Sequence, residues 1–121
     1  MALEHEIAQF GQRMGFANLP LSPDGTMALE IEGMGRLYLE QRPEELLLYL
    51  ARPVPPHDRD MPRRILALCH YGKAHSFLLS GGMHKGQAIL LTRMPERGVT
   101  TSFLENAAAY LAQQMDSIFR N

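Results

Sequence analysis

Residues 46–50 read Leu-Leu-Leu-Tyr-Leu, a run with no charged or strongly polar side chain at any position. Because successive side chains of a β-strand point to opposite faces of the sheet, a strand of this composition needs apolar cover on both faces. Residues 87–92 repeat the pattern, since Ile89, Leu90 and Leu91 leave neither face polar. The chain therefore needs a sheet that is apolar on two sides.

Three further strands and two turns are predicted to complete this sheet. In residues 27–31 and 36–40, apolar residues alternate with polar ones, which is typical of half-buried strands. The intervening Gly33-Met34-Gly35 predicts a hairpin that pairs these two strands antiparallel. Residues 76–80 predict a fourth strand, and residues 81–86 a turn that joins it to the apolar strand at 87–92.

Three helices are predicted from apolar residues at helical spacing. The first covers residues 2–14, where Leu3, Ile7, Phe10 and Met14 fall on one face. The second covers residues 61–71 behind Asp60 as its cap, and the third covers residues 102–119, with Ser102 and Glu105 as a capping box. The order α-βββ-α-ββ-α predicts an α+β fold, in which three helices flank a twisted antiparallel sheet of about five strands.

Size and composition limit the possible functions. A chain of 121 residues and 13.6 kDa supports one domain, residues 1–121. The formal net charge of -1 is too balanced to favour nucleic acid as a partner. The sequence has one cysteine, neither an N-terminal signal pattern nor an apolar run of transmembrane length, and we therefore expect a soluble cytoplasmic protein without an integral membrane segment.

The sequence predicts no catalytic residue, no metal site and no cofactor. Residues 81–86 contain glycines and a lysine, but they lack the spacing of a phosphate-binding loop and lead into a strand. The five histidines show no i,i+4 pair of the kind that binds metal on a helix. Cys69 falls in an apolar helical stripe, and Glu30 and Glu32 are typical of a solvated strand face. We therefore expect a protein that is not an enzyme.

The remaining feature is surplus apolar surface. The first and third helices can cover one face of the sheet, which leaves two alternatives for the other face. Either the second helix covers it, giving a monomer with a thick core, or the second face or the second helix itself binds another chain. Eight methionines favour the second alternative, because flexible thioethers suit irregular ligand surfaces.

The sequence resembles a known family in three segments and in the order of its elements. The segments are residues 21–31, which contain Leu-Ser-Pro-Asp-Gly and Leu-Glu-Ile, residues 35–40, Gly-Arg-Leu-Tyr-Leu-Glu, and residues 45–50, Glu-Leu-Leu-Leu-Tyr-Leu. They are similar to class I type III secretion chaperones, the CesT or Tir-chaperone family, and most similar to the SycN-type chaperones of the secretion gatekeeper. The resemblance covers nearly the whole chain.

This resemblance implies a bacterial cytoplasmic chaperone without enzymatic activity, which dimerises and keeps the N-terminal segment of a secreted effector or gatekeeper unfolded and export-competent. The dimer partner is a second copy or a second, different chaperone. By position, the implied dimer contacts are Ile65, Leu68, Cys69, Phe77 and Leu79. The implied client contacts are Leu3, Ile7, Phe10, Leu29, Ile31 and Leu37. The alternative is a small dimeric scaffold, roadblock-like or profilin-like, that binds a folded partner.

Overall fold

A computed structural model describes residues 2–15, 25–70 and 77–120 of the chain. In chain order the elements are α1 (Ala2–Arg13), β1 (Thr26–Ile31), β2 (Gly35–Arg42), β3 (Glu45–Pro53), α2 (Met61–Leu68), β4 (Ser80–His84), β5 (Gln87–Pro95) and α3 (Thr101–Phe119), with a 3-10 turn at Glu96–Gly98 between β5 and α3. The α+β fold with three helices and five strands is confirmed.

The five strands form one antiparallel sheet in the order β1-β2-β3-β5-β4. The apolar run at residues 46–50 lies in β3, at the centre of the sheet, and pairs with β2 on one side and β5 on the other. This position explains its composition, because a central strand has neighbours along its whole length and exposes little surface at either edge. The edge strands are β1 and β4.

One face of the sheet carries the core. Leu29, Leu37, Leu50 and Leu90 stand in one row across β1, β2, β3 and β5, and each is almost completely buried. All three helices pack on this row and its neighbours. The core residues from the helices are Leu3, Ile7 and Phe10 of α1, Met61 and Ile65 of α2, and Leu104, Leu111 and Met115 of α3.

The position of α2 decides between the two alternatives for the second sheet face. A Cβ atom at Gly81 of β4 would lie 2.9 Å from the side chains of both Ile65 and Leu90. Since Leu90 points to the core face, α2 lies on that face too, and the absence of a side chain at Gly81 allows its close approach. The alternative in which the second helix covers the other face is therefore excluded, and the alternative that the sequence favoured remains.

We call this other face the outer face, and define it by Tyr38, Leu47, Tyr49, Ala51, Ile89 and Leu91. No described helix packs on it. The rings of Tyr38 and Tyr49 stack with centroids 4.8 Å apart. At the β1 and β2 side the outer face is bordered by the ion pairs Glu30–Arg36 and Glu40–Arg42. The predicted apolar second face is thus present, with a charged border.

Two boundaries differ from the sequence-based prediction. Strand β4 begins at Ser80 and includes Gly81 and Gly82, whereas residues 76–80 were predicted as the strand. The turn falls instead at Lys85 and Gly86, which both have positive φ, as a tight two-residue hairpin turn requires. Helix α2 ends at Leu68, whereas residues 61–71 are predicted as the helix, and residue 71 lies outside the described residues.

The N-terminus of α3 also differs. The capping residue is Thr100, whose hydroxyl accepts a hydrogen bond from the Phe103 N–H at 3.0 Å. Ser102 lies inside the helix, and the Glu105 carboxylate binds Arg13 of α1 at 2.9 Å, so the predicted capping box is wrong. The physical reason is that the extended backbone needed for a cap occurs at Thr100. Similarly, Asp60 occupies the N-cap position of α2, but its side chain makes no capping hydrogen bond.

Two buried threonines provide a matched test of this core. The Thr92 hydroxyl has no hydrogen-bond partner among the described residues, whereas the Thr101 hydroxyl donates to the Glu6 carboxylate at 2.8 Å. Replacing an unsatisfied buried hydroxyl by a methyl group removes a desolvation cost. We expect Thr92→Val to raise the free energy of unfolding by about 1 kcal/mol and Thr101→Val to lower it by about 1–3 kcal/mol. Urea denaturation measures both, and destabilisation by Thr92→Val would contradict this assignment.

Candidate functional site

Among the described residues, the large apolar side chains with the highest exposure lie on or beside α2 and β4. They are Leu66 (74% exposed), Leu78 (69%) and Met83 (39%). The half-buried Leu68, Cys69 and Phe77 lie in the same two stretches of chain. We call these six residues the α2–β4 surface. Because α2 packs against β4, these side chains lie at one edge of the sheet, and exposed apolar residues in one region are typical of a protein-binding surface.

The local sequence explains why this surface forms. In α2, Met61 and Ile65 face the core, whereas Pro62, Arg63 and Leu66 face outward. All five residues of β4 are exposed, and its outer edge pairs with no strand of the described chain. An unpaired edge strand without charged inward-pointing residues or a bulge favours addition of another strand. Helix α2 and β4 therefore present apolar side chains beside an open sheet edge.

The residues predicted as dimer contacts occupy mixed positions around this surface. Ile65 and Leu79 are buried, and Leu68, Cys69 and Phe77 are half-buried. The centroid of the Phe77 ring lies 5.4 Å from that of Phe103 and 5.3 Å from that of Tyr110. Phe77 therefore packs against α3. Burial raises the pKa of the Cys69 thiol, so this residue behaves as a small apolar side chain.

Sequence reasoning missed the three most exposed members of the α2–β4 surface. Leu66 carried an available signal, because it lies on the opposite side of α2 from the stripe formed by Met61 and Ile65. An apolar residue on the polar side of an amphipathic helix is the pattern that indicates a contact with another chain. Leu78 and Met83 had no comparable signal, since their exposure depends on where β4 begins.

The residues predicted as client contacts lie mainly in the core. Leu3, Ile7, Phe10, Leu29 and Leu37 are each at most 5% exposed. They offer no surface to a client while α1 packs on the sheet. Only Ile31, at the end of the edge strand β1, is half-buried. The reason is that apolar periodicity identifies the inward face of an element, and a core and a binding groove produce the same pattern.

Strand β1 offers a second accessible edge. It pairs with β2 on one side, and its other side pairs with no strand of the described chain. Ile31 closes this strand next to the hairpin turn, where the Met34 N–H donates to the Ile31 carbonyl at 3.1 Å. The candidate site therefore consists of two sheet edges, β1 and β4, on opposite ends of one sheet, with the α2–β4 surface beside the second.

Helix α1 is held over the core by polar contacts with α3. The Glu6 carboxylate accepts hydrogen bonds from the Thr101 N–H at 2.5 Å and from the Thr101 hydroxyl at 2.8 Å. These bonds lower the pKa of Glu6, the hydroxyl contributing most and the backbone N–H second. A carboxylate at the N-terminus of a helix also complements its dipole. Glu6 thus fixes α1 to the first turn of α3.

Groups that could perform chemistry are not brought together in the described part of the chain. No cluster of three or more His, Cys, Asp or Glu side chains that could hold a metal ion occurs among residues 2–15, 25–70 and 77–120. The two glutamates of the first strand region do not form a pair of carboxylates on one strand. The Glu30 Oε1 atom lies 3.2 Å from the Arg36 Nε atom, and Glu32 lies beyond the end of β1. In the same residues, no helix has the length and apolar character needed to cross a membrane.

An α+β domain with two open strand edges and an exposed apolar surface is typical of a protein that binds other polypeptides. Comparison with family models gives the particular family. The model described as "Type III secretory system chaperone SycN" matches residues 2–119. The chain therefore belongs to the SycN family of type III secretion chaperones, as the resemblance in the sequence indicated.

Solved structures share this fold at low sequence identity. A chain in the HopA1–SchA chaperone–effector complex is 18% identical, with a TM-score of 0.69 over 93% of this chain and 89% of that one. A chain in the complex of the Yersinia pestis type III secretion chaperone SycH with a YscM2 fragment is 12% identical (TM-score 0.68, 97% of both). A chain in the Pseudomonas aeruginosa ExoU–SpcU complex is 15% identical (TM-score 0.68, 93% of both). A search of curated proteins found no significant match.

The Glu6 contact predicts how stability depends on pH. Because folding lowers the pKa of Glu6 below its ordinary value of 4.5, its contribution is present above that pH and is lost as the pH falls through the folded-state pKa. We expect the unfolding free energy of Glu6→Gln to fall less steeply than that of the wild type between pH 5.5 and pH 3. Glu44→Gln, at an exposed turn residue, is the control. Equal slopes for Glu6→Gln and the wild type would contradict the assignment.

Proposed function

We propose that this chain binds the N-terminal segment of a secreted effector or gatekeeper protein and keeps that segment unfolded until export. The match to the SycN family over residues 2–119 is the observation that carries this proposal. The HopA1–SchA structure, which contains the same fold, is a chaperone–effector complex, and the ExoU–SpcU structure is a heterodimeric complex from a type III secretion system. The family match favours this function over the alternative, a dimeric scaffold that binds a folded partner.

The proposed client site is the β1 edge. An extended client segment gains main-chain hydrogen bonds when it adds a strand to an open edge, and its alternate side chains gain apolar contacts. At this edge Ala28 is exposed and Ile31 is half-buried, whereas Leu29 is buried in the core. A client held in this way is extended and cannot bury its own apolar residues, so it stays unfolded.

The α2–β4 surface is the proposed site for a second copy of this chain. Leu66, Leu78 and Met83 supply the apolar centre that stable interfaces require, and the β4 edge supplies unpaired main-chain groups. The client edge and the chaperone edge then lie at opposite sides of the sheet, so that the two partners do not compete for one strand.

The proposed mechanism uses binding alone, in the bacterial cytoplasm. Ordering an unfolded client costs chain entropy, which apolar burial and main-chain pairing offset. No step of this mechanism requires a catalytic group, a metal ion or a cofactor.

Substitution at Leu66 tests the chaperone interface. Since this side chain is 74% exposed, Leu66→Glu leaves the isolated fold intact, but it places an unpaired charge in an apolar contact. We expect sedimentation equilibrium between 1 and 100 µM to show association of the wild type and at least a tenfold weaker association of Leu66→Glu. Ala109→Glu, at an exposed position of α3, is the matched control. A wild-type chain that stays monomeric at 100 µM would contradict this interface.

Calorimetry with client N-terminal peptides tests the client site. Coupled folding and binding should give a large negative heat-capacity change, because it buries on the order of 1,000 Å² or more. We expect Ile31→Glu to weaken peptide binding at least tenfold, whereas Leu91→Glu, a half-buried apolar position of the outer face, should leave it within about twofold. The opposite ranking of the two variants would move the client to the outer face.

A further inference from the structure

Helix α2 is weakly determined by its own sequence. It has eight residues, fewer than an isolated helix needs for stability in water. Only Met61 and Ile65 are buried in the core, and Asp60 supplies no capping hydrogen bond. Leu68 and Cys69 also pack against the core but are only half-buried, so the apolar contacts of α2 leave the helix free to roll about its axis. The direction in which Leu66 points must therefore be fixed by polar contacts of α2 with the rest of the chain.

Arg64 supplies the missing constraint. It belongs to the inward-facing side of α2, and its side chain is only 14% exposed. Its Nε–H donates to the Ile118 carbonyl at 2.7 Å, in the last turn of α3. Its Nη2 donates to the Asp58 carboxylate at 2.5 Å, and its Nη1 donates to the Asp60 carboxylate at 3.4 Å. One guanidinium therefore joins α2 to α3 and to the loop that precedes α2.

Each of these contacts is directional. The Ile118 carbonyl is one of the last four of α3 and has no partner within its helix, so it has a free lone pair for Arg64. A cation at this end also complements the dipole of α3. The planar guanidinium donates to the carbonyl and to Asp58 from fixed positions on its fork, which a flexible ammonium group cannot do. These bonds restrict both the tilt and the roll of α2.

We propose that Arg64 is a positioning residue for partner binding, which holds α2 in the orientation that presents Leu66 to a second chaperone chain. This inference rests on the proposed function of the α2–β4 surface. Arg64 itself faces the interior and does not belong to that surface. Its effect on association passes entirely through the orientation of the helix.

Arg52 provides a control that separates positioning from stability. Its side chain is 18% exposed. Its Nη1 donates a hydrogen bond to the Asp116 carboxylate of α3 at 2.9 Å. Its guanidinium carbon lies 5.1 Å from the centroid of the Phe119 ring, at the end of the same helix. It extends from β3, and its hydrogen bonds within the described residues go to Asp116 of α3 and to the Met34 carbonyl in the turn between β1 and β2. Both arginines are therefore half-buried side chains that contact the same end of α3, and only Arg64 extends from α2.

The experiment compares self-association of Arg64→Met and Arg52→Met by sedimentation equilibrium, at a temperature at which circular dichroism shows each variant more than 95% folded. A contact that only stabilises the fold leaves the affinity of folded chains unchanged. We expect both variants to lower the unfolding midpoint, but only Arg64→Met to raise the dissociation constant, by tenfold or more. Arg64→Lys keeps the charge, loses the fork and should raise the dissociation constant three- to tenfold.

Wild-type affinity in Arg64→Met would overturn the inference. If Arg64→Met does not fold, Arg64→Lys decides, and wild-type affinity in that variant overturns the inference in the same way. Leu66→Glu, measured in parallel, separates the two proposals. If Leu66→Glu abolishes association and the Arg64 variants do not weaken it, only the positioning role fails. If Leu66→Glu has no effect, or the wild type does not associate, the α2–β4 surface is wrong and the positioning role fails with it.

Discussion

The pairing of β3 with both β2 and β5 is the constraint on which the rest of the molecule depends. It places Leu48 and Leu50 on the core face at full burial and sends Leu47, Tyr49 and Ala51 to the outer face. A shift of one residue in this register would exchange the two sets and leave the helices without an apolar surface to cover. The three helices pack on one face because that face alone carries the continuous row of leucines.

This one-sided arrangement determines where the protein can bind others. An open sheet with helices on one face has two free edges, and here the edges differ in character. The β1 edge is backed by buried leucines and ends in Ile31, whereas the β4 edge has glycines and lies beside the exposed Leu66 of α2. A chaperone that holds an extended client needs an edge for the client and another surface for its own partner. The β1 edge and the α2–β4 surface are the two regions that we propose for these roles.

The polar contacts have a different role from the apolar core, because they set the orientation of elements that the core alone leaves loose. Glu6 ties α1 to the start of α3, and Arg52 and Arg64 tie the sheet and α2 to its end. Each of these three side chains binds a group at one end of α3, and each comes from a segment that is distant in the sequence. Such contacts leave no periodic signal, and sequence reasoning identified none of them. It assigned Glu105 to a capping box, although the carboxylate binds Arg13.

Hydrophobic periodicity was sufficient for the number, type and order of the elements, and for the surplus apolar surface in β3 and β5. These properties follow from the sequence because the side-chain periods of helices and strands are local. The sequence also indicated the family, because the three strand segments resemble those of type III secretion chaperones. It could not separate core from binding surface at Leu3, Ile7 or Phe10, since both require the same apolar stripe. Only the packing of all three helices on one face decided that these residues are buried and that Leu66 is exposed, because burial depends on which distant elements meet.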